Sequence, residues 1–254
     1  MTEYKRKTTG KNHYAVSEGV GSVQKKLVKG IQTEFSAHVT SVQPQENGRV
    51  RVHWRHDELA SSTDIFDYVI LAVPPNVVGK IFEPLKGPMA RIPTVKVKTV
   101  VHSDDSTIRG TLCSLGRQSG RMQSLILHTS DSRTEAINVQ SSGVLITTNP
   151  FTPIATGLVM QTSSFTRVLR TIESQGVVDE IIGESTEKYS DEPEHEKPSK
   201  WRNGDGGVFL CGGWMWDGLV LLEGCAVSAV EIASALGVKA PWDKEDILCC
   251  DKSN

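Results

Sequence analysis

A chain of 254 residues with 38% hydrophobic and 23% charged side chains can bury a substantial core as one large or two small domains, and this composition excludes a collagen-like fibre, a coiled coil and a fully disordered protein. Lys and Arg number 28 against 30 Asp and Glu, a formal net charge of −2. With no positive excess to attract a phosphate backbone, the expectation is no nucleic-acid partner.

The first dozen residues are basic and polar with no apolar run behind them, so residues 1–16 are expected to be a flexible N-terminus without a secretory signal. Val20, Val23, Leu27, Val28 and Ile31 recur at helical spacing and predict a helix over about Gly21–Thr33. Ala37–Val42 and Val50–Trp54 alternate at period two around Asn47-Gly48, a hairpin signal. A polar connection, Asp57 to Asp64, leads to Tyr68–Val73, a run apolar on both faces that predicts a strand in a sheet covered on both sides and ended by Pro74-Pro75.

From Pro93 the character changes. Val95 to His102 alternates like a half-exposed antiparallel strand, and Ser124–His128 and Val144–Thr148 are candidates for further strands. Pro93 to about Phe165 is thus expected to be a sheet-rich unit inserted into the first. Gly183–Gly207, polar and rich in Gly and Pro, is expected to be a mobile surface loop. Val208–Cys211 is a short buried strand stopped by Gly212-Gly213, and a last helix runs from about Leu222 to Leu236 with Gly237 as its stop. Residues 241–254 form a tail. The five cysteines have no C-x-x-C pair, so they are expected to be reduced thiols in a cytoplasmic protein. The longest apolar runs fall far short of the roughly 20 residues of a membrane span.

Val208–Gly237 is the stretch richest in chemistry: buried strand, Gly-Gly, a loop with Trp214, Trp216 and Asp217, then a helix of small residues opening at Leu222-Glu223-Gly224-Cys225. Glycines at a strand's C-terminal end let backbone approach a ligand, and the free N–H groups of a helix start favour negative charge. The plain alternative is a helix packed tightly on a sheet, with Cys225 a small buried filler. Trp214 and Trp216 would flank a ligand or pack the loop on the core. His102 and Asp104 share a strand face, but no nucleophile is spaced to complete a triad, and a surface or hydrogen-bonded histidine is the simpler reading.

Val208–Trp214 followed by Leu221–Ala226 resembles the C-terminal flavin-binding segment of the FAD-dependent amine oxidase superfamily. Earlier landmarks follow in that family's order. Gly19-Val20-Gly21-Ser22 resembles its GG-GS segment, Ala37–Val42 its adenine-side strand, Asp67–Pro75 its D-VVLAVPP strand, and Lys98–Asp104 the strand lining the flavin ring. Thr99–Asp104 is most similar to a flavin monoamine-oxidase-like branch of NAD/FAD-binding proteins. The resemblance spans most of residues 17–240. It implies cofactor contacts from Val39, Gly213, Trp214, Leu222, Glu223, Gly224 and Cys225, and it makes Lys98 the catalytic candidate, a lysine holding a water near flavin N5 where oxygen is reduced. Lys96 lies on the same face; a lysine on the wet face of an edge strand is the alternative for both.

Two features depart from the family. No G-x-G-x-x-G occurs in the chain: Gln24 stands where a third glycine should follow Gly19 and Gly21. The resemblance therefore covers only about the C-terminal half of such an enzyme. The aromatic residue expected before the E-G turn is replaced by Leu221 or Leu222, which argues against an amine substrate.

The expected fold is α/β, a partial FAD/NAD(P)-binding domain (parts 17–92 and 166–240) with an inserted antiparallel-sheet substrate domain (93–165). The expected function is that of an FAD-dependent, amine-oxidase-like oxidoreductase, or a truncated piece of one, oxidising a small-molecule substrate by hydride transfer to FAD, with a complementing N-terminal half as partner and neither nucleic acid nor membrane. The rival is a non-catalytic truncated chain acting as an interaction protein.

Overall fold

The computed structural model describes residues 19–56, 60–108, 124–140, 142–183 and 201–240; the expected flexible N-terminus and C-terminal tail lie outside them. Helix α1 (Val20–Leu27) opens after Gly19, whose carbonyl accepts from the Ser22 amide and hydroxyl. It is shorter than its periodicity suggests. Its apolar face is real, but Val20, Leu27 and the following Ile31 are all exposed.

Strands β1 (Ala37–Pro44), β2 (Val50–His56) and β3 (Ala60–Phe66) form an antiparallel meander. The Gly48 turn expected between the first two is there, with φ 78° and the Gln45 amide donating to Arg49 O at 2.8 Å. β3 corrects the reading of this stretch as a polar connection. Its residues pair in unbroken register with β2, Val52 opposite Asp64 and Trp54 opposite Ser62. Such polar residues become a strand only when a partner is already in place.

Strand β4 (Val69–Leu71) pairs in parallel with β10 (Val208–Leu210), and the Cys211 amide extends the pairing to Leu71 O at 3.2 Å. The expected coverage on both faces is met on one only: Leu71 is buried, whereas Tyr68 and Ile70 are 59% and 49% exposed. Pro75 starts helix α2 (Pro75–Ile81), where its missing N–H costs nothing, and the short α3 (Lys86–Ala90) follows.

The stretch after Pro93 is a five-stranded antiparallel sheet in the order β6-β7-β8-β5-β9. Its strands are β5 (Thr94–His102), β6 (Ser124–Thr129), β7 (Thr134–Val139), β8 (Leu145–Thr148) and β9 (Val159–Val168). Ile108, Ile126, Ile137 and Leu145 give it a small core of its own.

Helix α4 (Ile172–Ile182) was not foreseen. Thr171 and Ser174 cap it reciprocally, the Ser174 amide donating to Thr171 Oγ1 at 3.1 Å and the Thr171 amide to Ser174 Oγ at 2.8 Å. It carries Val177, Val178 and Ile181 into the main core, beside Val42, Val52, Leu71, Phe82, Leu210 and Trp214. Most of the expected mobile loop, residues 184–200, lies outside the described residues. The part that is described is tied down: Asn203 accepts from the Leu210 amide at 2.7 Å, Asp205 accepts from the Arg202 amide at 2.8 Å, and Trp201 packs edge-on against Phe82. Helix α5 (Leu222–Ala235) then ends near Gly237, which takes φ 70°. The whole is a mixed α/β fold.

Candidate functional site

Parallel strands β4 and β10 release the chain at the same end, into Val73-Pro74 and Gly212-Gly213 respectively. The crevice outside the carboxyl ends of parallel strands is where open α/β sheets bind ligands. Trp214 bridges the two loops, its buried indole donating to Val73 O at 3.2 Å. Its ring therefore serves the core. Below it, Ser228 locks α5 to the β10 end: the hydroxyl donates to Gly224 O at 2.7 Å and accepts from the Gly212 amide at 3.1 Å.

The start of α5 is bare. Leu221 is the N-cap residue and no side chain caps the helix, in contrast to α4. Leu222, Glu223 and Cys225 are exposed around it. Cys225 is thus no buried filler. Chain packing at Gly213 and Gly224 is close: a Cβ on Gly213 would stand 2.6 Å from Leu221 O, and one on Gly224 would stand 2.9 Å from Gly213 O and inside the Trp216 indole. Gly213, Gly224 and Cys225 are thereby brought together at one helix terminus.

Two supporting residues had not been singled out. Arg170 donates from Nη2 to Trp214 O at 3.2 Å and to Trp216 O at 2.6 Å, fixing the loop between β10 and α5. Burial lowers its pKa, opposed by Asp179 and Asp217. No local pattern in the sequence marks it. Ser228 did carry a signal, since it lies one helical turn beyond Gly224 on the strand-facing side. Burial raises the pKa of the Cys211 thiol, partly offset by its 3.4 Å contact with Ser228 Oγ.

The other candidates stand on separate sheets. Val39, 40% exposed, pairs with Trp54 immediately before a bulge in β1 that takes Thr40 out of the ladder. Bulges of this kind free main-chain groups and are common beside binding sites. Lys98 and Lys96 are both exposed on β5. His102 is fully buried, and Asp104 does not orient it by its carboxylate. His102 Nδ1 accepts from the Asp104 amide at 3.2 Å while Nε2 lies 2.7 Å from Thr147 Oγ1, so the neutral ring donates from Nε2. The Asp104 carboxylate instead accepts from the Ala155 and Ser106 amides. Among the described residues no group of three or more His, Cys, Asp or Glu could hold a metal ion, and no helix is long and apolar enough to cross a membrane.

A mixed α/β fold with glycines where its parallel strands end is compatible with a partial flavin-binding domain. The model of the flavin-containing amine oxidoreductase family matches residues 1–134, more than half of the chain, which belongs to that family. No curated protein matches the chain. FAD is the cofactor that membership implies. The matched region takes in α1 to β6, while β10 and α5 lie beyond it.

The residues present include glycine main chain and an uncapped helix terminus that favours negative charge, with the Trp216 indole lying over Gly224. They do not include a glycine-rich turn for a pyrophosphate.

Proposed function

We propose that the chain is an FAD-dependent oxidoreductase of amine-oxidase type acting on a small molecule, with the flavin ring lodged against the N-terminus of α5. The observation that carries this reading is the bare α5 terminus beside Gly212-Gly213, at the carboxyl end of the β4–β10 pair. FAD, when bound, supplies the hydride acceptor. The main chain of Gly213 and of Leu222–Cys225 holds the ring, and the α5 dipole favours its negative edge. Trp214 and Arg170 hold the loop from which that main chain projects. Val39, at its bulge, meets the adenine end by main chain. Lys98 holds a water by its ammonium on the ring-side strand. Residues 17–92 and 166–240 contribute to the cofactor domain, and 93–165 form a substrate domain inserted in it.

A complementing segment with a strand and a glycine-rich turn completes the site in this reading. Support comes from the parallel sheet, two-stranded among the described residues, since parallel sheets are normally buried on both faces, and from the uncovered Ile70, Val20, Leu27 and Ile31. The absence of a G-x-G-x-x-G supports it too.

Titration of the chain with FAD, followed by quenching of flavin fluorescence, tests the proposal. Weak binding is expected, and Gly224→Val should abolish it with a local shift of the loop, since its Cβ would stand 2.9 Å from Gly213 O, while circular dichroism keeps the helix and strand content. Absence of any binding, or binding indifferent to both Gly213→Val and Gly224→Val, would overturn the site. Purification with tightly held stoichiometric FAD would instead overturn the need for a complementing segment.

A further inference from the structure

Two cysteines 14 positions apart in sequence meet where β10 ends against α5. Cys211, the residue after β10, lays its thiol on the helix: Sγ stands 3.9 Å from Cys225 O and 3.4 Å from Ser228 Oγ. Cys225 answers from the other side. Side chains on a helix lean toward its N-terminus, and Cys225 Sγ lies 3.5 Å from where a Cβ on Gly213 would stand. Each sulfur thus lies against the segment that bears the other.

Both are free thiols, but they are unequally placed. Cys225 is exposed and Cys211 half-buried. Burial holds the proton on Cys211, and charge on Cys225 adds to that effect, so the two side chains are within electrostatic reach. An oxidant in solution meets Cys225 first, and the covered, protonated Cys211 is left to react with whatever forms there.

We propose that Cys211 and Cys225 are a redox pair, in which a peroxide oxidises Cys225 and Cys211 closes a reversible disulfide between the end of β10 and the first turn of α5. With hydrogen peroxide, the Cys225 sulfur attacks one oxygen and the O–O bond breaks. Cys225 becomes a sulfenic acid, and the other oxygen leaves with a proton as water. The Cys211 sulfur then attacks the Cys225 sulfur, the S–O bond breaks, and the hydroxyl leaves with the Cys211 proton as a second water. Two thiols lose two electrons and two protons, and one peroxide is reduced to two waters. A change of side-chain rotamer brings the sulfurs together. Neither step needs a flavin, so the outcome leaves the cofactor site to its own titration.

The test uses the reduced 254-residue chain with equimolar hydrogen peroxide, then N-ethylmaleimide to block remaining thiols, trypsin and mass spectrometry. No Lys or Arg lies between Arg202 and Lys239, so one peptide carries both cysteines and none of Cys113, Cys249 and Cys250. From the native chain this peptide should be lighter by two hydrogen atoms and free of maleimide, and dithiothreitol should restore both thiols. In urea-unfolded chain the same bridge should form about tenfold more slowly, since the fold no longer holds the sulfurs near each other. Cys211→Ser should leave Cys225 as a sulfenic acid that dimedone labels, whereas wild type takes little label. A native peptide that keeps both thiols would overturn the pair. So would Cys225 passing to sulfinic acid beside a reduced Cys211, or a bridge from Cys225 to Cys113, Cys249 or Cys250.

Discussion

Ser228 is the smallest device in the crevice and the most easily tested. Its hydroxyl receives the Gly212 amide, which leaves the β10 ladder without another acceptor, and spends its own proton on Gly224 O. Replacing it by Ala strands the Gly212 N–H beside a buried helix turn, so urea unfolding should show a loss of about 1–3 kcal/mol. A loss below the error of the measurement would mean that water substitutes freely. Lys98 makes a functional prediction. In FAD-loaded chain reduced by light, Lys98→Met should slow the return of flavin absorption in air by about tenfold or more, because an oriented positive charge acts most on the half-reaction that makes a negative oxygen species. Lys96→Met should do little. Equal small effects from both substitutions would leave Lys98 a solvated strand lysine.

At the level of elements, α4 is specified by its cap. Thr171 and Ser174 satisfy each other's amides, and Thr171→Ala should cost about 1 kcal/mol in chemical denaturation, with Thr171→Ser close to neutral. The five-stranded sheet carries a pH dependence of definite sign. Burial lowers the His102 pKa from its ordinary 6.5, against the pull of Asp104 and Glu135. Below that value the unfolded chain takes up a proton that the folded ring refuses, so stability falls as pH drops. For Asp104 the Ala155 amide and the Ser106 hydroxyl lower the carboxyl from its usual 3.8. For Glu135 burial pushes upward, but bonds from the Thr152 hydroxyl and amide, His128 and the Phe151 amide outweigh it and hold the group below 4.5. The stability these carboxylates add is present above their ordinary values and lost as pH falls through the lowered ones. All three groups thus make the sheet acid-labile. The urea midpoint should decline between about pH 7 and pH 5 through His102, more steeply below, and His102→Gln should flatten the first part of that decline.

For the whole molecule the uncovered apolar side chains matter most. Leu27, the last residue of α1, and Ile31, four residues beyond it, are 69% and 62% exposed. Contiguous patches of this kind mark interaction surfaces in soluble proteins. Leu27→Glu with Ile31→Glu should change unfolding stability by no more than about 0.5 kcal/mol, since neither side chain is buried, while reducing the fluorescence of a hydrophobic dye bound to the chain. A large loss of stability would mean that the face is covered within the chain itself.

Much of this was written locally. Period-two alternation and Asn47-Gly48 are enough for the β1–β2 hairpin, Pro74-Pro75 for the end of β4 and the start of α2, and Gly212-Gly213 with the small residues of α5 for the crevice, because turn chemistry and side-chain periodicity act within a few residues. Nothing local could specify β3, whose Ala60–Asp64 have weak strand preference and extend only against β2. The same holds for the open face at Ile70, which the apolar run of β4 seemed to forbid. A residue's alternation states which face it shares, and only the assembled chain decides whether anything lies over that face. Trp214 and Trp216 make the point most sharply. Two residues apart and of one chemistry, they are separated in role by contacts that span the fold, Val73 O for one and two glycine Cα atoms for the other.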